Sequence, residues 1–257
     1  RCFLPEANDV ALLLRERDRQ PIPMTRLHEA GLFETIVPGS LGTSPYRLRI
    51  TNHAGQVSER HDPYAFPPLL TDFELHLFAE GTFFKAYETM GAHLRTVQSI
   101  TGVHFVVWAP NAARVSVVGD FNQWDGRRHP MTNRGATGLW ELFIPELTDG
   151  TLYKYEILSR HHEAPLLKAD PYAVASELRP KTASIVHALS PYRWKDQTWM
   201  TARAQQDPLA APLSIYEVHL GSWMRIPEEG NRWLTYSELA RKLIPYVKNM
   251  GYTHVEL

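Results

Sequence analysis

Along the first two hundred residues apolar and polar positions alternate in short runs, punctuated by Pro, Gly and Asn, with little helical periodicity. Alternation at a period of two marks strands that bury one face. It predicts strands at His104-Phe-Val-Val-Trp108, Arg114-Val-Ser-Val-Val118, Leu139 to Ile144 and Leu152 to Leu158. Strands separated by regular turn signals indicate an all-β sandwich of about one hundred residues. After Pro212 the pattern changes. Leu213-Ser-Ile-Tyr-Glu-Val-His219 reads as a buried strand, Ser222 to Leu234 as a loop, and Thr235-x-x-Glu238 as a helix-opening capping box. Leu239, Leu243, Tyr246, Val247 and Met250 then share one helical face, and Gly251 is placed to end the helix in a left-handed conformation. Pro245 inside that helix predicts a kink. Thr253-His-Val-Glu-Leu257 opens a second strand, so this segment is expected to be the first strand-helix-strand unit of a truncated barrel. Its strands, without neighbours, are an expected aggregation hazard.

The chain repeats itself. Gly31-Leu-Phe-Glu34 recurs as Gly138-Leu-Trp-Glu141, 107 positions later, and the same offset aligns Ile36-Val-Pro38 with Phe143-Ile-Pro145 and Tyr46-Arg-Leu-Arg-Ile50 with Tyr153-Lys-Tyr-Glu-Ile157. Leu4 to Val10 pairs with Ala109 to Val115 at 105, and Asp62-Pro-Tyr-Ala65 with Asp170-Pro-Tyr-Ala173 at 108. Small changes of offset are what loop insertions produce, so two sandwiches stand in tandem. The expected architecture is mainly β: two tandem immunoglobulin-like β-sandwiches followed by the first β-α-β unit of a truncated (β/α)8 barrel. The expected domains are residues 1–93, including a connector from Thr71 to His93, then 94–195, a linker at 196–212, and the barrel opening at 213–257.

Composition narrows the function. Of 257 residues, 44% are hydrophobic and 21% charged, and the formal net charge is -1, which gives no general attraction to nucleic acid or anionic membranes. The lone Cys2 forms no internal disulfide, and no apolar run is long enough to span a bilayer. A cytoplasmic setting is the expectation. The chain starts at Arg1, without a signal-peptide pattern, so truncation is expected at the front as readily as at the back.

Gly119-Asp-Phe-Asn-Gln-Trp-Asp125 is the densest chemical cluster, a turn that sets Trp124 beside Asn122 and Asp125. Sugars are held by laying their C–H face on an aromatic ring while amides, carboxylates and ammonium groups bond the hydroxyls. Lys154, between Tyr153 and Tyr155, is a candidate donor. The opposing reading makes Trp124 a core or corner residue and Asn122 a turn former. Trp140 reads as core. Arg127-Arg-His129 is too small a basic group for nucleic acid. Glu217 and Glu256 resemble a catalytic carboxylate pair but lie within strands, which favours a buried structural pair. Trp223 and Arg225, just past the first barrel strand, border a possible active-site rim or pack the loop. His161 and His162 are adjacent and point apart on a strand, and no group has metal-ligand spacing.

Trp108-Ala-Pro-Asn-Ala, Val117 to Met131, Gly138 to Pro145, Tyr153-Lys-Tyr-Glu156 and above all Ser214-Ile-Tyr-Glu-Val-His-Leu-Gly-Ser-Trp223 closely resemble the bacterial 1,4-α-glucan branching enzymes of glycogen synthesis. The resemblance covers essentially the whole chain. It implies that the second sandwich is a glycogen-binding module of the family 48 type, with Trp124 and Lys154 as glucan contacts; Asn122 and Asp125, from the same turn, stay candidate carbohydrate-binding residues beside them. It implies glycogen and α-1,4-glucan chains as partners, a monomer in the full-length form, and neither metal nor organic cofactor, while the charge balance already speaks against nucleic acid and membrane partners. No catalytic residue is carried over, because the family's catalytic carboxylates belong to later barrel strands. Two alternatives stay open: a stand-alone glycogen-binding or regulatory module, and the front of a debranching or trehalose-forming glucan hydrolase.

Overall fold

A computed structural model describes residues 1–14, 20–38, 46–161, 164–189 and 193–257. The chain is mainly β and divides into two compact units, residues 1–190 and 191–257.

In the first unit each copy of the repeat is a pair of sheets facing across a core. The first copy sets a four-stranded antiparallel sheet, ordered Ile22–Pro23, Ala7–Leu13, Arg47–Asn52, Val57–His61, against a small sheet of Cys2–Phe3, Leu32–Glu34 and Thr25–His28. Val10, Leu12, Phe33, Leu48 and Ile50 fill the space between. The second copy sets Thr132–Asn133, Leu139–Pro145, Ile100–Trp108 and Gly91–Val97 against a sheet in which Ala112–Val118 and Leu152–Ser159 pair. On the far edge of Leu152–Ser159 lie Leu166–Lys168 and Ser184–Ile185. Phe105, Trp140, Val115, Val117, Tyr153 and Tyr155 are among its buried residues. The four strands expected here are present, three of them one or two residues longer than expected and the first extended back to Ile100, and Trp140 is core, with its indole N–H donating to Ala109 O at 3.0 Å.

The repeat read in the sequence is also a repeat of bonds. Leu4 N–H donates to Gly31 O at 2.8 Å, and Ala109 N–H to Gly138 O at 2.9 Å. Both glycines are left-handed (φ +99° and +74°) and lie against a proline: a Cβ would fall 2.5 Å from Pro5 Cα or 2.7 Å from Pro110 Cβ. Only glycine meets both demands. The next strand of each copy carries a register shift at the matching place, Ala7/Asp9 opposite Asn52/Thr51 and Ala112/Arg114 opposite Ser159/Leu158. The tyrosine hydroxyls match too, Tyr46 donating to Asp62 at 2.8 Å and Tyr153 to Asp170 at 2.6 Å. The other oxygen of each aspartate accepts the backbone N–H two residues on, from Tyr64 at 3.0 Å and Tyr172 at 2.8 Å. Burial raises the pKa of both carboxyls despite these bonds.

The connector from Thr71 to His93 carries a helix of its own. Thr71 and Glu74 form a capping box that opens a helix, Asp72–Glu80, and Gly91–Val97 runs across the expected boundary at residue 93. Glu141 anchors the connector: its Oε2 accepts the N–H groups of Leu69 and Leu70 at 2.8 and 3.0 Å and lies 2.8 Å from His104 Nε2, while Oε1 pairs with Arg134. Burial alone would raise this carboxyl's pKa, but the bond to His104 and those from the N–H groups of Leu70 and Leu69 hold it below the usual range. Direct bonds join the copies, from Tyr64 Oη to Pro130 O at 2.9 Å and between His61 and Glu146 at 2.7 Å.

In the second unit Ile215–Glu217 pairs in parallel with His254–Glu256, and the helix Tyr236–Asn249 joins them. Thr235 and Glu238 form the expected capping box, Gly251 is left-handed at φ +85°, and the helix is continuous across Pro245. Leu239, Leu243 and Val247 are buried, whereas Tyr246 and Met250 on the expected face stay partly exposed. The segment expected as a linker includes the helix Gln197–Ala204. Two expectations need correction. A short helix, Leu220–Trp223, overlaps the start of the segment read as a loop, which also holds a hairpin of Arg225–Ile226 with Arg232–Trp233. Glu217 and Glu256 are register partners but both are exposed, because a two-stranded sheet leaves their face uncovered.

Candidate functional site

The turn at the end of Ala112–Val118 carries the candidate site. After Gly119, a single 3-10 turn, Asp120–Asn122, is followed by Gln123 and Trp124, both left-handed at φ +59°. Non-glycine residues in that region cost on the order of 1–3 kcal/mol each and persist only where surrounding bonds hold them. Here Trp124 N–H donates to Gly119 O at 2.9 Å, and the indole N–H donates to Asp120 Oδ1 at 2.8 Å. The half-buried indole is thus fixed by its edge.

Asn122 is the core of the turn rather than a ligand-facing group. It is fully buried; its amide oxygen accepts Gly119 N–H at 3.0 Å, and its Nδ2 reaches Val117 O at 2.9 Å and His129 Nδ1 at 2.8 Å. Burial, then the charge of Arg128, pushes the His129 pKa down to about 3, so its Nδ1 is free to accept. The expectation that Asn122 contacts glucan is corrected: its donors and acceptor are used, and none of it reaches the surface.

Asp125 accepts the backbone N–H of Arg127 at 3.0 Å and its guanidinium through both oxygens, at 2.9 and 2.8 Å. The Arg127 hydrogen bonds hold this carboxyl's pKa below the usual range. Lys154 lies in register opposite Val118, and its Nζ donates to Thr182 Oγ1 at 2.7 Å. Tyr153 and Tyr155 point into the core, which leaves Lys154 and Glu156 on the outward face of their strand. Gly126 brings the turn back over that face, since a Cβ there would lie 2.0 Å from Glu156 Oε1. Turn and strand therefore combine an edge-fixed indole, carboxylates and an ammonium group on one side of the sheet. That is the donor, acceptor and stacking set a sugar requires.

The sequence reading missed Asp120, Glu156 and Thr182. Asp120 lay inside the motif, four residues before the indole it holds; Thr182, distant in sequence, had no local signal. Trp223 and Arg225 both pack against neighbouring aromatic side chains. Trp223 donates to Tyr216 Oη at 3.1 Å with its ring 5.8 Å from Tyr246, and the Arg225 guanidinium sits 4.6 Å from the Trp233 ring centroid. No metal-binding cluster occurs among the described residues. His161 lies past the end of its strand, and His162 is outside the described residues.

Two family models match. Residues 1–64 match the alpha-1,4-glucan branching enzyme GlgB N-terminal domain, and residues 89–173 match carbohydrate-binding module 48, the isoamylase N-terminal domain. Matches that span this chain include the 1,4-alpha-glucan branching enzyme GlgB of Paramagnetospirillum magneticum, 50% identical over all of this chain and 34% of the relative. Those of Thermosynechococcus vestitus and Cellvibrio japonicus are 49% and 48% identical, again over all of this chain, with 36% and 35% of their own lengths covered. The chain thus spans about a third of the length of these relatives. Among solved structures, the catalytic module of the glycogen-degrading pneumococcal virulence factor SpuA aligns over 65% of this chain and 26% of that one, with 20% identity and a TM-score of 0.43, too slight a likeness to argue from. Along its whole length the chain corresponds to the N-terminal region of the GlgB 1,4-alpha-glucan branching enzymes, with a carbohydrate-binding module 48 domain at residues 89–173.

Proposed function

We propose that the chain is the glucan-holding front of a 1,4-α-glucan branching enzyme, and that Trp124, Lys154 and Asp125 contact an α-1,4-glucan. The observation that carries this reading is the Trp124 turn: a strained segment fixed at both ends, presenting an indole beside charged groups within the module 48 match. In this reading the two copies are immunoglobulin-like sandwiches and residues 213–257 open a (β/α)8 barrel. The parent enzyme would cleave α-1,4 links by the retaining route, in which one carboxylate attacks the anomeric carbon while a second carboxyl group protonates the leaving oxygen. The 6-hydroxyl of a glucan would then accept the chain and form an α-1,6 branch. That chemistry calls for carboxylates rather than a metal or organic cofactor. The protein is read as a cytoplasmic monomer.

The contribution assigned to this chain is binding, which raises the effective concentration of a long polymer at a distant active site. Electrophoresis through glycogen-containing gels tests it: the chain should be retarded, and Trp124→Ala should lose a clear part of that retardation. Unretarded migration of the unaltered chain would refute the reading. An iodine-stain assay tests the other half, because branching by this chain alone would contradict a purely binding role.

A further inference from the structure

The two copies share the Asp-Pro-Tyr-Ala turn, but its tyrosine meets different surroundings in each. In the first copy Tyr64 reaches out of its own sheets and donates its hydroxyl to Pro130 O of the second copy at 2.9 Å. In the second copy Tyr172 sits on the same carboxylate-capped turn, with its N–H 2.8 Å from Asp170 Oδ1. It lies close against Gly91, where an added Cβ would come 3.1 Å from Tyr172 Cβ and 3.2 Å from its carbonyl oxygen. The Tyr172 hydroxyl has no hydrogen-bond partner among the described residues, and the residue is 41% exposed. The position that makes an outside contact in one copy is thus open in the other.

Tyr172 forms one wall of a cleft of about 500 Å³ between Gly91–Val97 and Ser184–Ile185. Tyr87, 62% exposed and likewise without a hydroxyl partner, forms another. Between them lie Glu88, His93, Arg95 and His187. Burial lowers the His93 pKa, and its Nε2 is 2.9 Å from Met90 O, so a neutral imidazole edges the cleft. The space falls within the range of small-ligand sites, and two aromatic rings with mixed donors and acceptors suit a neutral polyhydroxylated ligand. A nucleic acid would demand a run of cations that is not here.

We infer that the Tyr87–Tyr172 cleft is a second glucan subsite, taking a short α-1,4-linked segment separately from the Trp124 turn. This rests on the glucan-binding reading above. Lys154 and the Trp124 turn are on the outward face of the sheet that begins with Ala112–Val118, whereas the cleft opens between the edges of the two facing sheets. Two subsites on one module let a single long chain, or two neighbouring branches, be held at once.

Calorimetric titration of the full chain with maltoheptaose is the test, run on the unaltered protein and on Trp124→Ala, Tyr172→Ala and Tyr87→Ala. Two binding events per chain are expected, one surviving in Trp124→Ala and the other in Tyr172→Ala. Tyr87→Ala, on an exposed turn where folding is not at stake, should weaken the cleft event by about 3–10-fold, the worth of one aromatic contact. A single event that Tyr87→Ala and Tyr172→Ala leave unchanged would overturn the cleft while leaving the Trp124 site standing. A single event lost in Tyr172→Ala and unmoved in Trp124→Ala would support the cleft and refute the Trp124 site. No heat and no binding in any variant would refute both.

Discussion

Gly31-Leu-Phe-Glu34 and Gly138-Leu-Trp-Glu141 occupy the same place in the two copies, yet their glutamates live differently. Glu34 is half-buried and paired with Arg1. Glu141 is 2% exposed and holds two backbone N–H groups, His104 and Arg134. What recurs is a backbone frame: the glycine on a proline, the register shift, and the tyrosine on a buried aspartate. What differs is what each frame carries outward. In the second copy Lys154 lies in register with Val118, the last strand residue before the Trp124 turn, and bonds Thr182, while its counterpart Arg47 pairs with Glu59 at 3.1 Å. The fold has been used twice, and the candidate sugar chemistry sits on one of the two uses.

The largest effect should come from the glutamates. Glu141→Gln removes the charge from a buried cluster that includes Arg134, and chemical denaturation should show a loss of about 3–5 kcal/mol. Glu34→Gln should cost at most about 1 kcal/mol, as an exposed pair does. Equal losses would break the contrast. Gly31→Ala and Gly138→Ala, by comparison, should behave alike. Each forces a left-handed alanine against a proline and should cost more than about 2 kcal/mol. A tolerated Gly31→Ala would mean that the frame is not shared. The tyrosines should differ modestly, with Tyr153→Phe losing about 1–3 kcal/mol for its buried bond and Tyr46→Phe about 0.5–1.5 kcal/mol.

The repeat was legible because glycine, proline and tyrosine recur for stereochemical reasons that survive divergence of the side chains around them. The capping box at Thr235 was legible because Leu239, Leu243 and Val247 follow it on one face. The same box at Thr71 went unread: its helix buries no residue fully, so the apolar positions after it show no comparable stripe. Asn122 was misread because a turn-former and a sugar ligand look alike in sequence. Only the buried amide, saturated by Gly119, Val117 and His129, separates them. Thr182 was invisible because its link to Lys154 depends on how distant segments meet.

The two capping boxes offer the smallest and most local comparison. Hydrogen bonds from Arg232, then from the N–H and hydroxyl of Thr235, lower the Glu238 pKa from 4.5 to about 2, while Glu74, without such an arginine, is lowered too. A carboxyl whose folded pKa is depressed contributes stability above its unfolded value and loses it as pH falls through the folded one. The cap at Tyr236–Asn249 should therefore weaken between pH 4.5 and about 2. Carboxyl NMR titration should place the Glu238 midpoint near 2 and show it rising in Arg232→Ala. A midpoint near 4.5 in the unaltered chain would contradict the bonded cap.

The central claim is that the second copy holds glucan through the turn that fixes Trp124. Electrophoresis through glycogen tests it most directly, with Trp124→Ala set beside Arg47→Ala, the substitution at the first-copy counterpart of Lys154. Trp124→Ala should lose a clear part of its retardation while Arg47→Ala migrates as the unaltered chain does. An unaltered chain that is not retarded, or a Trp124→Ala variant retarded as strongly as it, would contradict the account.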